Sequence, residues 1–450
     1  MRSAVLAAGF GVGVAVMAIL LGVAEIVLEQ SRAAALAGGG DVVMELMGEV
    51  PGRLVLSGAL QGEALRSRIR AAAPSHTAAL TLVRNGRRTP VDARGGIPSL
   101  ERAIGDPETT PIADWGDSPE DVEWTQDTPE KVLRHIDRFH PIPDAPDWSG
   151  SWAEWLYFNG RAADARFYLT FLVGPATADG RRSAGVRLQL DRNGQVETFT
   201  ESRPITDAEA QQAPDLQIGA SFVRLEGMQY RVHLDLPGEG GRRVRGDLTI
   251  EASAGRLVPP IEITGARGWR SGYVAPVMSG RLDGVLDANG EPISFGGGSG
   301  YHDHNWGFWQ GVSWQWGQVQ QGDLSILYGR VFPPPEAADP ARVPGFVGVL
   351  GPDGPLAYGV NVTITETNDE RGQPRSVLVS ARGRDLDVEL AFEVESAVTT
   401  RAAGPGPLTS GLDFFQLRGT YAVTGRAGGR TLAFTAPGSA ETFRGRPGAR

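Results

Sequence analysis

The sequence predicts an all-β protein of antiparallel sandwiches or closed barrels behind one N-terminal apolar helix. Three observations carry that reading. Apolar residues alternate at period two in several separate stretches, as a strand with one buried face requires. Asn-Gly and Gly-Pro-Asp-Gly turns recur between these stretches. Gly (61) and Pro (31) make up about a fifth of the 450 residues, too much for a helical bundle.

The chain opens with Ala4 to Ala24, an uncharged run of 21 residues. As a helix it spans roughly 30 Å, one hydrocarbon core. A cleaved signal is the competitor, with Ala35-Leu36-Ala37 as its small-residue site, but Glu25 and Glu29 intervene. Residues 1–30 are therefore read as an anchor. Arg2 precedes the run and Glu25, Glu29, Asp41 and Glu45 follow it. That asymmetry predicts a single-pass inner-membrane protein with its bulk on the periplasmic side.

Residues 31–103 form a small extracytoplasmic segment with strand-like pieces at Val42–Met44, Arg53–Leu56 and Leu80–Val83, the last entering the turn Asn85-Gly86. The stretch from the anchor through GGGDVVM (38–44) resembles the first membrane helix and following strand of an FtsX-type transporter permease. Residues 104–148 turn Pro-rich and acidic, which predicts an exposed linker with one short helix. Thr128 is its N-cap, Pro129 sits at N1, and it ends near Phe139.

From residue 149 the pattern is strands. Tyr230, Val232, Leu234 and Leu236 alternate, as do Val360, Val362 and Ile364, and again Val388, Leu390, Phe392 and Val394. Asn193-Gly194, Asn289-Gly290 and Gly351–Gly354 supply turns. No repeat of propeller or solenoid length is present. Two sheet units follow, 149–308 and 309–450, with the break near Gly307–Gln320.

Composition narrows the function. A net charge of −10 speaks against nucleic-acid binding. Zero cysteines excludes thiolate catalysis, disulfides and iron–sulfur clusters. Seven of the ten tryptophans sit in two short segments: Trp148, Trp152 and Trp155, then Trp306, Trp309, Trp314 and Trp316. Polar residues lie among those rings, and burying them unpaired would be costly.

The segments WAEWLYFNG (152–160), RFYLTFLVG (166–174) and GYHDHNWG (300–307) resemble the family of AttH and the carotenoid 1,2-hydratases (hydroxyneurosporene synthase, CrtC). The resemblance covers about 150–445 and implies a pair of lipocalin-like β-barrels. It also implies hydration of an acyclic polyene without cofactor or metal, with Asp303 as the matching catalytic acid and Tyr301 as the tyrosine supporting it. The hydratases carry a His-x-Trp pair on an earlier strand. The corresponding stretch here, GYVAPVMSG (272–280), lacks it, with Tyr273 as a partial substitute.

The residues themselves suit such chemistry. Protonating an alkene needs a carboxyl kept neutral in an apolar cavity, and the cation formed needs electron-rich rings. Alternation along a strand at 301–306 puts Tyr301, Asp303 and Asn305 on one face and His302, His304 and Trp306 on the other. Trp155, Trp306, Trp314 and Trp316, with Glu154, Tyr273 and Asn305, are the expected ligand-binding residues. The alternative is a metal held by His302 and His304 with Glu154, His140 or His233, which requires the opposite face inward. Two functions follow from these readings. One is a cofactor-free lyase or isomerase acting on an isoprenoid or other polyene. The other is a non-catalytic carrier of a hydrophobic ligand beside an ABC-type transporter.

Overall fold

The structure, a computed structural model, describes residues 68–106, 112–125, 128–401 and 412–445 apart from 85, 113 and 164, together with 43, 52, 53, 55 and 56. The expected anchor lies outside these residues, as do Val42 and Met44. Among the described residues no helix is long and apolar enough to cross a membrane. The chain divides into two compact units, with the boundary at Asp127/Thr128.

The first unit holds a hairpin, β1 (Ser75–Arg84) and β2 (Arg87–Gly96), and two short helices, α1 (Pro98–Ala103) and α2 (Pro119–Thr125). Arg84 pairs with Arg87 across the two-residue turn that Asn85-Gly86 predicts. Arg94 on β2 pairs with Glu101 and Asp106, both buried. Residues 52, 53, 55 and 56 are helical, so the strand expected at Arg53–Leu56 is corrected. Its apolar run is too short to separate strand from helix by period.

The second unit begins with α3 (Pro129–Ile136), whose first turn is capped by the Thr128 side chain, which accepts from the Lys131 amide at 3.2 Å. The exposed linker expected over 104–148 is corrected from Val132 onward. Leu133, Ile136, Asp137, Phe139, Ala145 and Trp148 are all buried, and α2 is a second helix in the same stretch. Proline and acidic residues mark the helix starts, while the apolar residues between them dock.

The rest is β-sheet. The first sheet contains β3 (Trp152–Ala162), β4 (Ala165–Ala176), β5 (Arg182–Arg192), β6 (Gln195–Ser202), β7 (Gln217–Ile218), β8 (Ser221–Glu226) and β9 (Gln229–Pro237). It continues through β10 (Arg243–Glu251), β11 (Val258–Thr264), β12 (Arg270–Ala288), β13 (Glu291–Ser294) and β14 (Gly298–Phe308). Its order is β6-β5-β4-β3-β14-β12-β10-β9-β8-β7, and a bridge between Phe199 and Gly238 nearly closes it. A four-residue helix, α4 (Asp207–Ala210), follows β6.

The second sheet contains β15 (Ser313–Gln321), β16 (Leu324–Phe332), β17 (Phe346–Gly351), β18 (Gly354–Gly359), β19 (Val362–Asn368), β20 (Pro374–Arg382), β21 (Leu386–Arg401), β22 (Leu412–Ala427) and β23 (Arg430–Gly445). Its order is β18-β17-β16-β15-β23-β22-β21-β20-β19, half a barrel. The architecture is all-β, two barrel-like antiparallel sheets, and the chain leaves the first at Phe308 and enters the second at Ser313.

Local sequence explains the hairpins. Asn193 and Gly194 both take positive φ, as do Asn289 and Gly290, which is the type I′ geometry matching strand twist. They set Arg192 opposite Gln195 and Ala288 opposite Glu291. The alternating residues Tyr230, Val232, Leu234 and Leu236 are all buried in the first barrel, and Val388, Leu390 and Phe392 in the second.

One feature sets up the site. Every residue of β3 from Trp152 to Gly160 is buried, on both faces. One face lines the first barrel. The other meets the second sheet, where the Gln318 amide donates to Asn159 at 3.0 Å and the Tyr168 hydroxyl lies 3.2 Å from Ser439 Oγ.

Candidate active site

A cavity of about 410 Å³ lies between the two sheets. That is within the roughly 300–1,000 Å³ of small-molecule sites. Its walls are aromatic: Trp155 from β3, Tyr273 from β12, Trp309 from the crossing segment, Trp314 and Trp316 from β15, and Phe443 from β23. Asp303 and Asn305 of β14 reach it from the first barrel.

Register explains this grouping. On β14, Tyr301, Asp303 and Asn305 stand opposite Asn159, Tyr157 and Trp155 of β3, and Asn305 stands opposite Tyr273 of β12. Directly opposed residues share a face, so the acid, the tyrosines and Trp155 converge on one side.

A hydrogen-bond chain runs along that side. The Trp316 indole donates to the Tyr273 hydroxyl at 3.3 Å, and the Tyr273 and Tyr301 hydroxyls lie 2.5 Å apart. Tyr301 donates to Asp303 Oδ2 at 2.8 Å, and Asn305 donates to Oδ1 at 2.8 Å. Asp303 is buried and, among the described residues, forms no ion pair with an arginine or lysine. Desolvation pushes its carboxyl well above the ordinary range. Tyr301 and Asn305 pull it down only in part, and the charge of Glu441 pushes further up.

Glu441 of β23 is a second carboxyl on the cavity wall, half-buried, and sequence reasoning missed it. Burial raises it to about 7 against hydrogen bonds from Tyr157, Gln416 and Trp314. Arg187 of β5, also on the wall, donates to Thr400 Oγ1 at 2.9 Å. Ser439 and Glu441 alternate on the face of this strand that also carries Phe443, the one signal present in the sequence.

The opposite face of β14 builds a different structure inside the first barrel. His302 is stacked on Phe158 with ring centroids 4.1 Å apart. Its Nδ1 lies 2.9 Å from the Tyr157 carbonyl and its Nε2 2.8 Å from Asp137 Oδ2. His304 bridges Asp137 (3.2 Å) and Glu154 (2.8 Å), and His140 Nδ1 meets Glu154 at 2.6 Å. Desolvation would lower His304, yet hydrogen bonds to Asp137 and Glu154 raise it to about 9. Desolvation would raise Asp137, yet the charge and hydrogen bonds of His302 and His304 hold it at about 2.

Three expectations are corrected by this arrangement. Glu154 and Trp306 face the barrel interior, not the cavity; Trp306 stacks on His140 at 4.5 Å and donates to Glu262 at 3.0 Å. The pair His302 and His304 does not form a ligand set, because both nitrogens of His302 are committed elsewhere. His140, Glu154 and His304 bring ligand-type atoms within 4.8 Å of one another, and those atoms already hydrogen-bond among themselves. His233 pairs with Asp247 at the surface, away from this cluster. The two faces of β14 were expected to exclude each other, but a strand covered on both sides buries both.

Trp306 also limits β12. A Cβ on Gly272 would come within 1.9 Å of its indole. Gly272→Ala is expected to cost about 1–3 kcal/mol in urea unfolding, because the ring is held by its stacking and its hydrogen bond.

No family model and no curated protein matches the chain. Solved structures resemble it in fold. A Nitrosomonas europaea protein provisionally named AttH aligns at 13% identity and a TM-score of 0.45, covering 68% of this chain and 99% of its own. CghA, solved with Sch210972, aligns at 12% and 0.41, covering 70% of this chain and 94% of its own. CghA without that compound aligns at 12% and 0.42, covering 71% and 95%.

Proposed function

We propose that this is a lipocalin-like protein of the AttH and carotenoid-hydratase type that performs cofactor-free, acid-catalysed hydration or cyclisation of a polyene or isoprenoid. The observation that carries the reading is Asp303, a buried carboxyl pushed well above the ordinary range by desolvation and, among the described residues, in no ion pair with an arginine or lysine, at the wall of an aromatic cavity. An acid already ionised at neutral pH has no proton to give to carbon, so the environment has the sign the chemistry requires. Tyr301 holds the carboxyl, Tyr273 holds Tyr301, and Trp316 holds Tyr273. Tyr273 enters this chain from the strand where the hydratases carry His-x-Trp, which supports a related reaction on a different substrate. The tryptophan faces stabilise the cation without quenching it. The run Ala4–Ala24 supports anchoring in the inner membrane with the barrels on the periplasmic side, where such substrates partition.

The absence of His-x-Trp at 272–280 favours a second reading, a carrier that holds a hydrophobic ligand beside an ABC-type transporter. One experiment addresses ligand class for both. Organic extraction of the purified protein followed by mass spectrometry is expected to yield an isoprenoid or polyene. Recovery of ordinary fatty acids alone would overturn the isoprenoid assignment and favour the carrier.

A further inference from the structure

We propose that Glu441 is the second acid–base group of the cavity, removing a proton from the cation that Asp303 creates, so that the product is an isomer or a cycle of unchanged formula. This deepens the function proposed above and rests on it for the role of Asp303.

The geometry assigns the two carboxyls different parts. Both line one aromatic cavity, Asp303 from β14 of the first barrel and Glu441 from β23 of the second. Asp303 receives hydrogen bonds from two neutral groups on its own face, Tyr301 and Asn305. Glu441 receives them from Tyr157, Gln416 and Trp314 and stands in the field of Arg187. The charge of Glu441 pushes the Asp303 carboxyl further up, so of the two Asp303 is the one that keeps its proton more readily. Arg187 favours leaving the charge on Glu441. The titratable groups on the cavity wall with Glu441 are Arg187, Arg330, Asp303, Glu201, Tyr157, Tyr168 and Tyr273. The two arginines are the cations, Arg187 being the one whose charge acts on Glu441, and burial raises Tyr157 and Tyr273, which stay neutral.

The reaction balances without a co-reactant. The π pair of a C=C takes the proton of Asp303; a C–H bond forms, an O–H bond breaks, and a tertiary cation is left beside an Asp303 carboxylate. The cation either attacks a second C=C to close a ring or stays where it formed. The Glu441 carboxylate then takes a proton from the adjacent carbon, whose C–H pair becomes the new C=C. The proton has moved from Asp303 to Glu441, and exchange with water at the cavity mouth resets both.

An anionic Glu441 makes the cavity a binding site for a lipophilic cation, which can be tested without knowing the substrate. The probe is dodecyldimethylamine, whose ammonium mimics a tertiary cation, with dodecanol as the neutral control; binding is read from quenching of the cavity tryptophans. Wild-type affinity for the amine is expected to rise about tenfold as pH climbs through the value near 7 given to Glu441. Glu441→Gln should abolish that rise and leave dodecanol binding unchanged, which shows that the variant is folded. Glu201, a carboxylate on the same wall, controls for general charge, and Glu201→Gln should keep the rise. Retention of the pH-dependent amine preference in Glu441→Gln overturns the proposal. Asp303→Asn should retain the preference as well. If it does while turnover also survives in it, the general-acid reading of Asp303 fails and the cation site at Glu441 stands.

Discussion

Asp303→Asn is expected to lower turnover by roughly 10²–10⁴-fold while leaving ligand affinity within about twofold, the signature of losing a group needed only in the transition state. The substitution keeps the shape and the acceptor for Tyr301, and it removes the proton. A second readout needs no substrate. The folded carboxyl is raised above its unfolded value, so its contribution to stability is full below the unfolded value and is lost as pH rises through the folded one. The wild type should therefore lose stability with rising pH over that window, and Asp303→Asn should lose less, keeping only the share of Glu441 and His304. Tyr301→Phe removes one hydrogen bond and should cost less in turnover than the loss of the acid. Undiminished turnover in Asp303→Asn would remove Asp303 as the acid, and the carrier reading would take its place.

How much of this was legible depends on whether the information is local. The hairpins at Asn193-Gly194 and Asn289-Gly290 were readable because two adjacent positive-φ positions demand those residues. The partition of Tyr301, Asp303 and Asn305 from His302, His304 and Trp306 was readable because side-chain alternation is a property of any strand. What lies beyond each face was not. β14 is central in a sheet covered on both sides, so the usual inference from one buried face fails. Glu154 and Trp306 were assigned to the ligand for that reason, since proximity in sequence to Trp155 and Asp303 says nothing about which side of the sheet they occupy. Glu441 and Asp137 reach the two faces of β14 from distant segments; Asp137 and His302 are 165 positions apart. No periodicity links residues so far apart. A Pro-rich, acidic composition further disguised Asp137, because it marks helix starts and linkers alike.

Asp137→Asn carries the largest expected cost in stability, about 3–5 kcal/mol in urea unfolding. Asp137 follows α3 directly, its amide donating to the Leu133 carbonyl at 3.0 Å, and that turn carries it into the first barrel. There it is completely buried between His302 and His304, with no arginine or lysine among its partners in the described residues. Replacing it by a well-packed apolar network is a different experiment. Removing only the anion strands two buried imidazoles, and this is the costly half of the asymmetry. The pH dependence separates this from a packing defect. Asp137 is held at about 2, so its contribution is present above the unfolded value and is lost as pH falls through 2. His304 is raised to about 9, so its contribution is full below the unfolded value and is lost as pH rises through 9. Between these limbs the contributions of Asp137 and His304 are level, and the fall across that range is the one the raised carboxyls Asp303 and Glu441 give. Asp137→Asn should lose the acid limb and keep a shortened alkaline one, because Glu154 still faces His304 at 2.8 Å. A uniform drop with both limbs intact would mean that the ion pair contributes nothing beyond its volume.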